Sequence, residues 1–194
     1  MRVVPEKAVF FECDLQAKMA PHMKSFESVG HNAGRLAQAA KEFGVPVIAT
    51  QQVKFGPIHE MVSQHHHDGV KIFEKATFSM LDDQVAPYLK SLNRTQAILY
   101  GVETHVCVRQ TALDLLELDY DVHLVVDACS SMNHNDRNIA LESMRDMGVS
   151  MISFQALMFE MLRTSTSPHF KPVLNIVKQA PKEPIDLHYY NAQA

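Results

Sequence analysis

The chain has no apolar run of membrane-spanning length, no block of like charge, no internal repeat and no low-complexity tract. Each absence removes a class of function. Its 18 basic and 22 acidic residues are interspersed and leave a formal charge of −4, so no basic stripe points to nucleic acid or to an anionic membrane. Neither partner is expected. Cysteine is scarce and odd in number: Cys13, Cys107 and Cys129 do not form the framework of a disulfide-stapled secreted domain, and a reducing compartment is the expectation. The segment MRVVPEKAVFFECD has too short an apolar stretch for a signal peptide, and the ending YYNAQA carries no simple retention or peroxisomal tripeptide. The expected location is the cytoplasm. What is present is apolar material, 46% of 194 residues, enough to bury a sizeable core. A single domain over 1–194 is expected, with 180–194 as a C-terminal tail.

Ala8 to Asp14 is a mainly apolar run, with Val9, Phe10 and Phe11, ended by a charge, and reads as a buried strand. Phe26, Val29, Ala33, Leu36, Ala37 and Ala40 then recur at helical spacing between Ser25 and Phe43, and Gly44 supplies the stop. Val45 to Thr50 completes a strand, helix, strand unit of the parallel, right-handed kind. The polar stretch from Gln51 to Gly69 follows neither period and reads as a long functional loop. Further strands are predicted over Gly69–Phe73, Ala97–Gly101, Val122–Asp127 and Val149–Ser153. Helices are predicted over Asp82–Leu92, His105–Leu118, Asn135–Met147, Phe154–Arg163 and Phe170–Lys178. This alternation implies an α/β fold: a three-layer, doubly wound, mainly parallel sheet with helices on both faces and ligands at the carboxyl ends of its strands.

Three chemically suggestive residues fall at such ends. Asp14 closes the first strand, with Gln16 two residues beyond it in ECDLQ. Taken alone it reads as a turn former. Lys75, in FEKATFSM, follows the third strand, and alone it reads as a surface lysine. Cys107, in YGVETHVCVRQTALDLL, comes after a strand, a Gly turn and a Thr104 cap, in the first turn of a helix. There, unpaired N–H groups and the helix dipole favour a thiolate, although a lone Cys is more often a small buried hydrophobe. Together an acid, an amine and a thiol form a nucleophile set. Asp14 can take the thiol proton while Lys75 stabilises the thiolate and holds the carboxylate.

The ordered segments ECDLQ, FEKATFSM and YGVETHVCV, followed by VVDACSS and a helix, resemble the signature regions of the isochorismatase-like hydrolases, in particular the isochorismatase domain-containing proteins. The resemblance runs from about Ala8 to Phe159. It implies that Asp14, Lys75 and Cys107 are the catalytic triad of an amide hydrolase. It also implies a non-proline cis peptide at Val102–Glu103, with backbone N–H groups there forming an oxyanion hole. The implied reaction is attack by Cys107 on the carbonyl of a small-molecule amide, loss of the amine and hydrolysis of the thioester by water. A homo-oligomer is implied as well.

Two departures narrow this. True isochorismatases, which cleave a vinyl ether, generally lack the cysteine. Nicotinamidases carry a metal-binding Asp-x-His after the second strand, where this chain has Gln51 and Gln52. No metal or cofactor is therefore expected. His65, His66 and His67, with His59 nearby, read as a solvated loop, since adjacent side chains in an extended segment diverge. Phe78, with Phe55 and Phe73, is a candidate wall of the substrate pocket, against the ordinary reading of aromatics as core. Two rival functions stay open: a binding protein with an idle site, and a ribonuclease-type hydrolase, a label carried by protozoan relatives.

Overall fold

The structure, a computed structural model, describes residues 2–182. Six strands form one parallel sheet: β1 (Ala8–Cys13), β2 (Val47–Gln52), β3 (Val70–Lys75), β4 (Gln96–Val102), β5 (Asp121–Ser130) and β6 (Ser150–Ile152), in the order β3-β2-β1-β4-β5-β6. The helices are α1 (Phe26–Phe43), α2 (Glu60–Ser63), α3 (Val85–Ser91), α4 (Arg109–Glu117), α5 (His134–Asp146), α6 (Phe154–Leu162) and α7 (Phe170–Val177). The β1–β2 crossover carries α1, which packs with α6 and α7, and the crossovers from β4 to β6 carry α4 and α5, which pack on each other. The reversal lies between β1 and β4, where an open sheet has its crevice. This is the doubly wound α/β fold expected.

The central strands are apolar because both faces are covered: every residue of β1 and β4 is buried. Gly44 ends α1 at φ 64°, and the N–H of Val45 returns to Ala40 O at 2.8 Å. Val45 therefore belongs to the helix cap, and β2 runs later than predicted, to Gln52. On the same layer Arg35 docks α7, donating to Ile176 O and Val177 O at 3.1 and 2.7 Å.

Other boundaries moved for identifiable reasons. β3 extends to Lys75 because Gln52 and Lys75 pair at the end of the β2 ladder. The loop predicted over Gln51–Gly69 contains α2, which packs on α1 where Gly30 and Gly34 leave room for Met61 and His65. β5 bulges against β4, since Leu99 faces Leu124 but Gly101 faces Cys129. Buried Arg137 satisfies that bulge by donating to Val126 O and Cys129 O at 2.7 and 2.9 Å. Strand geometry thus continues to Ser130, past the Asp127 predicted. The segment before α4 is a π-type turn, Thr104–Val108, with Glu103 as its N-cap. Thr104 is not the cap; its hydroxyl donates to Ser130 O at 2.9 Å. Of the tail expected over 180–194, residues 183–194 lie outside the described residues. No helix among the described residues is long and apolar enough to cross a membrane.

Candidate active site

Asp14 leaves the end of β1 in the left-handed region, at φ 49°, with its carbonyl accepting from Gln16 N at 2.7 Å. A short polar residue tolerates that conformation better than a branched one. Its carboxylate is held from two sides: Thr50 Oγ1 donates to Oδ1 at 2.8 Å, and Lys75 Nζ lies 2.7 Å from Oδ2. Lys75 comes from β3 and must cross the end of β2 to reach it. Gln52, at that end, accepts from the ammonium at 2.6 Å, and the carbonyls of Thr77 and Phe78 accept at 3.0 and 3.1 Å. Asp14 and Lys75 are each 2% exposed. A charge pair so buried is tolerable only with its remaining donors and acceptors filled, as they are here. Burial opposes the Lys75 charge, but attraction to Cys13 and Asp14, with the hydrogen bond to Asp14, more than offsets it and raises the amine's pKa above the usual 10.5.

The thiol arrives from the other side of the crevice. β4 ends at Val102, the Val102–Glu103 peptide is cis, and the π-type turn begins at Thr104. The turn is tied to the end of β5: Glu103 Oε2 accepts from Met132 N at 2.9 Å, and His105 Nδ1 lies 3.0 Å from Ser131 Oγ. Cys107 then faces a cavity of about 160 Å³ together with Asp14, Met19, Gln52, Phe55, Phe78 and Val106, and Val102 and Glu103 complete its lining. The sulfurs of Cys107 and Cys13 and a carboxylate oxygen of Asp14 all lie within 4.8 Å of one another.

Gly101 permits this convergence. It has φ 125°, and a Cβ there would meet Cys13 O at 2.1 Å, so β1 and β4 approach as they do only because residue 101 has no side chain.

The structure thus brings Asp14, Lys75, Cys107, Val102, Glu103 and Phe78 to one place, and Phe55 joins them. Gln16 departs from expectation. It is fully buried and does not line the cavity; its amide donates to Gln52 O and Gly56 O at 2.9 and 2.6 Å and accepts from Gln52 N at 2.8 Å. It braces the loop after β2. Phe73 is core, tilted against Tyr88 with ring centroids 5.6 Å apart. The histidines are not a solvated tract either. His66 Nε2 sits 3.0 Å from the fully buried Glu12, His65 packs on Gly34, His67 Nδ1 accepts from Gly69 N at 3.0 Å, and His59 Nδ1 caps α2 by accepting from Met61 N at 3.2 Å. Their four separate tasks pull them apart as ligands. Among the described residues the cluster able to offer three ligand atoms is Cys13, Asp14 and Cys107, and the Lys75 ammonium on Asp14 opposes a dication there. Thr50, Gln52 and Cys13 were missed as site residues. Strand pairing of Gln52 with Lys75, and the adjacency of Cys13 to Asp14, are the signals that point to two of them.

A family model described as the isochorismatase domain matches residues 8–156, a stretch that contains every residue just placed around the cavity. The chain belongs to the isochorismatase family. Isochorismatase family protein 1B of Dictyostelium discoideum is 38% identical over 184 residues, 92% of this chain and 89% of that one. Among solved isochorismatase-type structures, the MAR1 ribonuclease of Caenorhabditis elegans is similar at a TM-score of 0.89 and 35% identity, covering 93% of this chain and 95% of its own. The YcaC gene product of Escherichia coli, described as an octameric hydrolase of unknown specificity, shares the isochorismatase fold at a TM-score of 0.85 and 22% identity, over 93% and 91% of the two chains.

Proposed function

We propose that this isochorismatase-like hydrolase cleaves the C–N bond of a small non-peptide amide through a thioester on Cys107. The observation that carries the reading is the Cys107 sulfur in the cavity, within 4.8 Å of a carboxylate oxygen of Asp14 that Thr50 and Lys75 fix. Asp14 takes the thiol proton, and the Cys107 sulfur attacks the carbonyl carbon. Backbone N–H groups of the turn after Val102 and Glu103 receive the oxyanion. Asp14 returns the proton to the leaving nitrogen, the C–N bond breaks, and water then releases the acid and the free thiol. Lys75, 2.7 Å from Oδ2, holds the Asp14 carboxylate in place. A void of about 150 Å³ accommodates one benzene-sized molecule, so the substrate class is a single ring or a short chain bearing one amide. Phe55 and Phe78 offer that molecule apolar walls.

The name of the C. elegans relative raises ribonucleolysis as a second reading. Among the described residues no Lys, Arg or His lines the cavity, and the net charge is −4, so the cavity itself offers a phosphate group no cation. The octamer named for the E. coli hydrolase supports a homo-oligomer here, which light scattering checks. Three free, buried cysteines suit the reducing cytoplasm.

The deciding experiment offers a panel of small amides to the wild type and to Cys107→Ala and traps the acyl-enzyme by mass spectrometry. Expected are turnover and a thioester on the Cys107 peptide in the wild type alone. Equal turnover by both proteins removes the mechanism; binding without turnover by either leaves a binding protein.

A further inference from the structure

One nucleophile beside the cavity has no part in the reaction above. Cys13, the last residue of β1, is fully buried and absent from the cavity wall, yet its sulfur lies within 4.8 Å of the Cys107 sulfur and 3.7 Å from Asp14 Oδ2. A small apolar residue would fill the end of a buried strand without placing a second thiol against the first. The pair is poorly suited to a cation, because Lys75 already neutralises Asp14 at 2.7 Å. It is suited to joining sulfur to sulfur.

We propose that Cys13 and Cys107 form a reversible oxidation site, with Cys107 the thiol attacked by a hydroperoxide and Cys13 the thiol that resolves it as a disulfide. The proposal rests on the reading of Cys107 as a reachable nucleophile. In the first step the Cys107 sulfur attacks the terminal oxygen of the hydroperoxide. An S–O bond forms, the O–O bond breaks, and the alcohol or water leaves with a proton, so that the peroxide is reduced and Cys107 becomes a sulfenic acid. In the second step Asp14 takes the Cys13 proton and the Cys13 sulfur attacks the Cys107 sulfur. The S–S bond forms, the S–O bond breaks, and hydroxide leaves with that proton as water.

Closing the sulfurs to the disulfide distance of about 2 Å requires motion of the Cys107 side chain on its turn, toward β1 and out of the cavity. Burial first, and then the hydrogen bond with Cys107 and the charge of Asp14, push the Cys13 thiol well above its ordinary pKa. Cys13 therefore stays protonated while Cys107 is reduced and does not compete for substrate. Formation of the disulfide withdraws the nucleophile and shields it from further oxidation, which is otherwise irreversible. Cys129 is a built-in control, fully buried with its thiol pushed up to about 12 by burial.

The test treats the reduced full-length protein with hydrogen peroxide and maps it by non-reducing peptide mass spectrometry, beside Cys13→Ala and Cys13→Ser. Expected in the wild type are a Cys13–Cys107 cross-linked peptide, a fall in free thiols from the three present to Cys129 alone, and full recovery of the thiols with dithiothreitol. In the Cys13 variants, Cys107 should accumulate sulfinic acid about tenfold faster and resist dithiothreitol. If both variants fail to fold, the cross-link in the wild type carries the test. Sulfinic acid at Cys107 of the wild type, without a cross-link, overturns the proposal and leaves the nucleophile reading standing. A Cys107 inert to both peroxide and iodoacetamide overturns both.

Discussion

Glu12 and Asp14 are two carboxylates on or just beyond one strand, both almost wholly buried, and they have come to different ends. Glu12 faces the buried hydroxyl of Tyr100 at 3.4 Å and the ring of His66 at 3.0 Å. Burial, followed by the Glu12 charge and hydrogen bond, raises the Tyr100 pKa well above the ordinary value, so the phenol keeps its proton. Asp14 faces a fixed ammonium on one side and an open cavity with a thiol on the other. A buried, partnered acid is therefore not a site in itself. What separates the two is access: one faces a thiol and room for a third molecule, the other only neighbours.

The sharpest way to break this contrast is to neutralise each acid in turn. Asp14→Asn should lower kcat/KM for an accepted amide by about 10³-fold, within the range that general acid–base groups supply, while Glu12→Gln leaves it within about threefold. Comparable losses from both would abolish the distinction. Lys75→Met should destabilise the fold by about 3–5 kcal/mol in urea denaturation, since it strands a buried carboxylate. The pH dependence has a definite sign. The Lys75 pKa is raised by folding, so its contribution is complete below the ordinary 10.5 and declines as pH climbs through the higher native value. The wild type should show that alkaline decline and Lys75→Met should lack it. His66→Leu removes one partner of Glu12 and should cost about 1–3 kcal/mol in the same assay, with turnover unchanged. Smallest is Tyr100→Phe. It deletes the long hydrogen bond to Glu12 and should shift stability by about 1 kcal/mol, again without effect on turnover.

Local pattern made the alternating elements legible: the apolar strand of Val9, Phe10 and Phe11, the helical spacing that ends at Gly44, and the strand ends carrying Asp14 and Cys107. Long-range satisfaction of buried polar groups was not legible. His66 meets Glu12 across 54 residues, and no period in either segment encodes that meeting. Arg137 sustains the bulge of β5 from a helix, so VVDACSS looks like a strand that has already finished. Gln16 sits near the crevice in sequence, but its amide is taken up by backbone that only the fold brings within reach. Lys75 could be placed near a strand end, yet its crossing over β2 to Asp14 depends on the sheet order, which follows from topology and not from spacing.

The close approach of Gly101 to the backbone of Cys13 makes the two halves of the crevice mutually dependent for tolerance of change. Alanine is the mildest replacement a glycine can receive in an ordinary strand. At this position its single methyl would wedge apart the strand ends that bring the acid and the thiol together, so a residue with no functional group sets that juxtaposition as strictly as the groups themselves. The rim is under no such constraint: Phe55 and Phe78 are exposed side chains at the edge of the cavity, with space around them for other apolar groups. Gly101, behind them, has none.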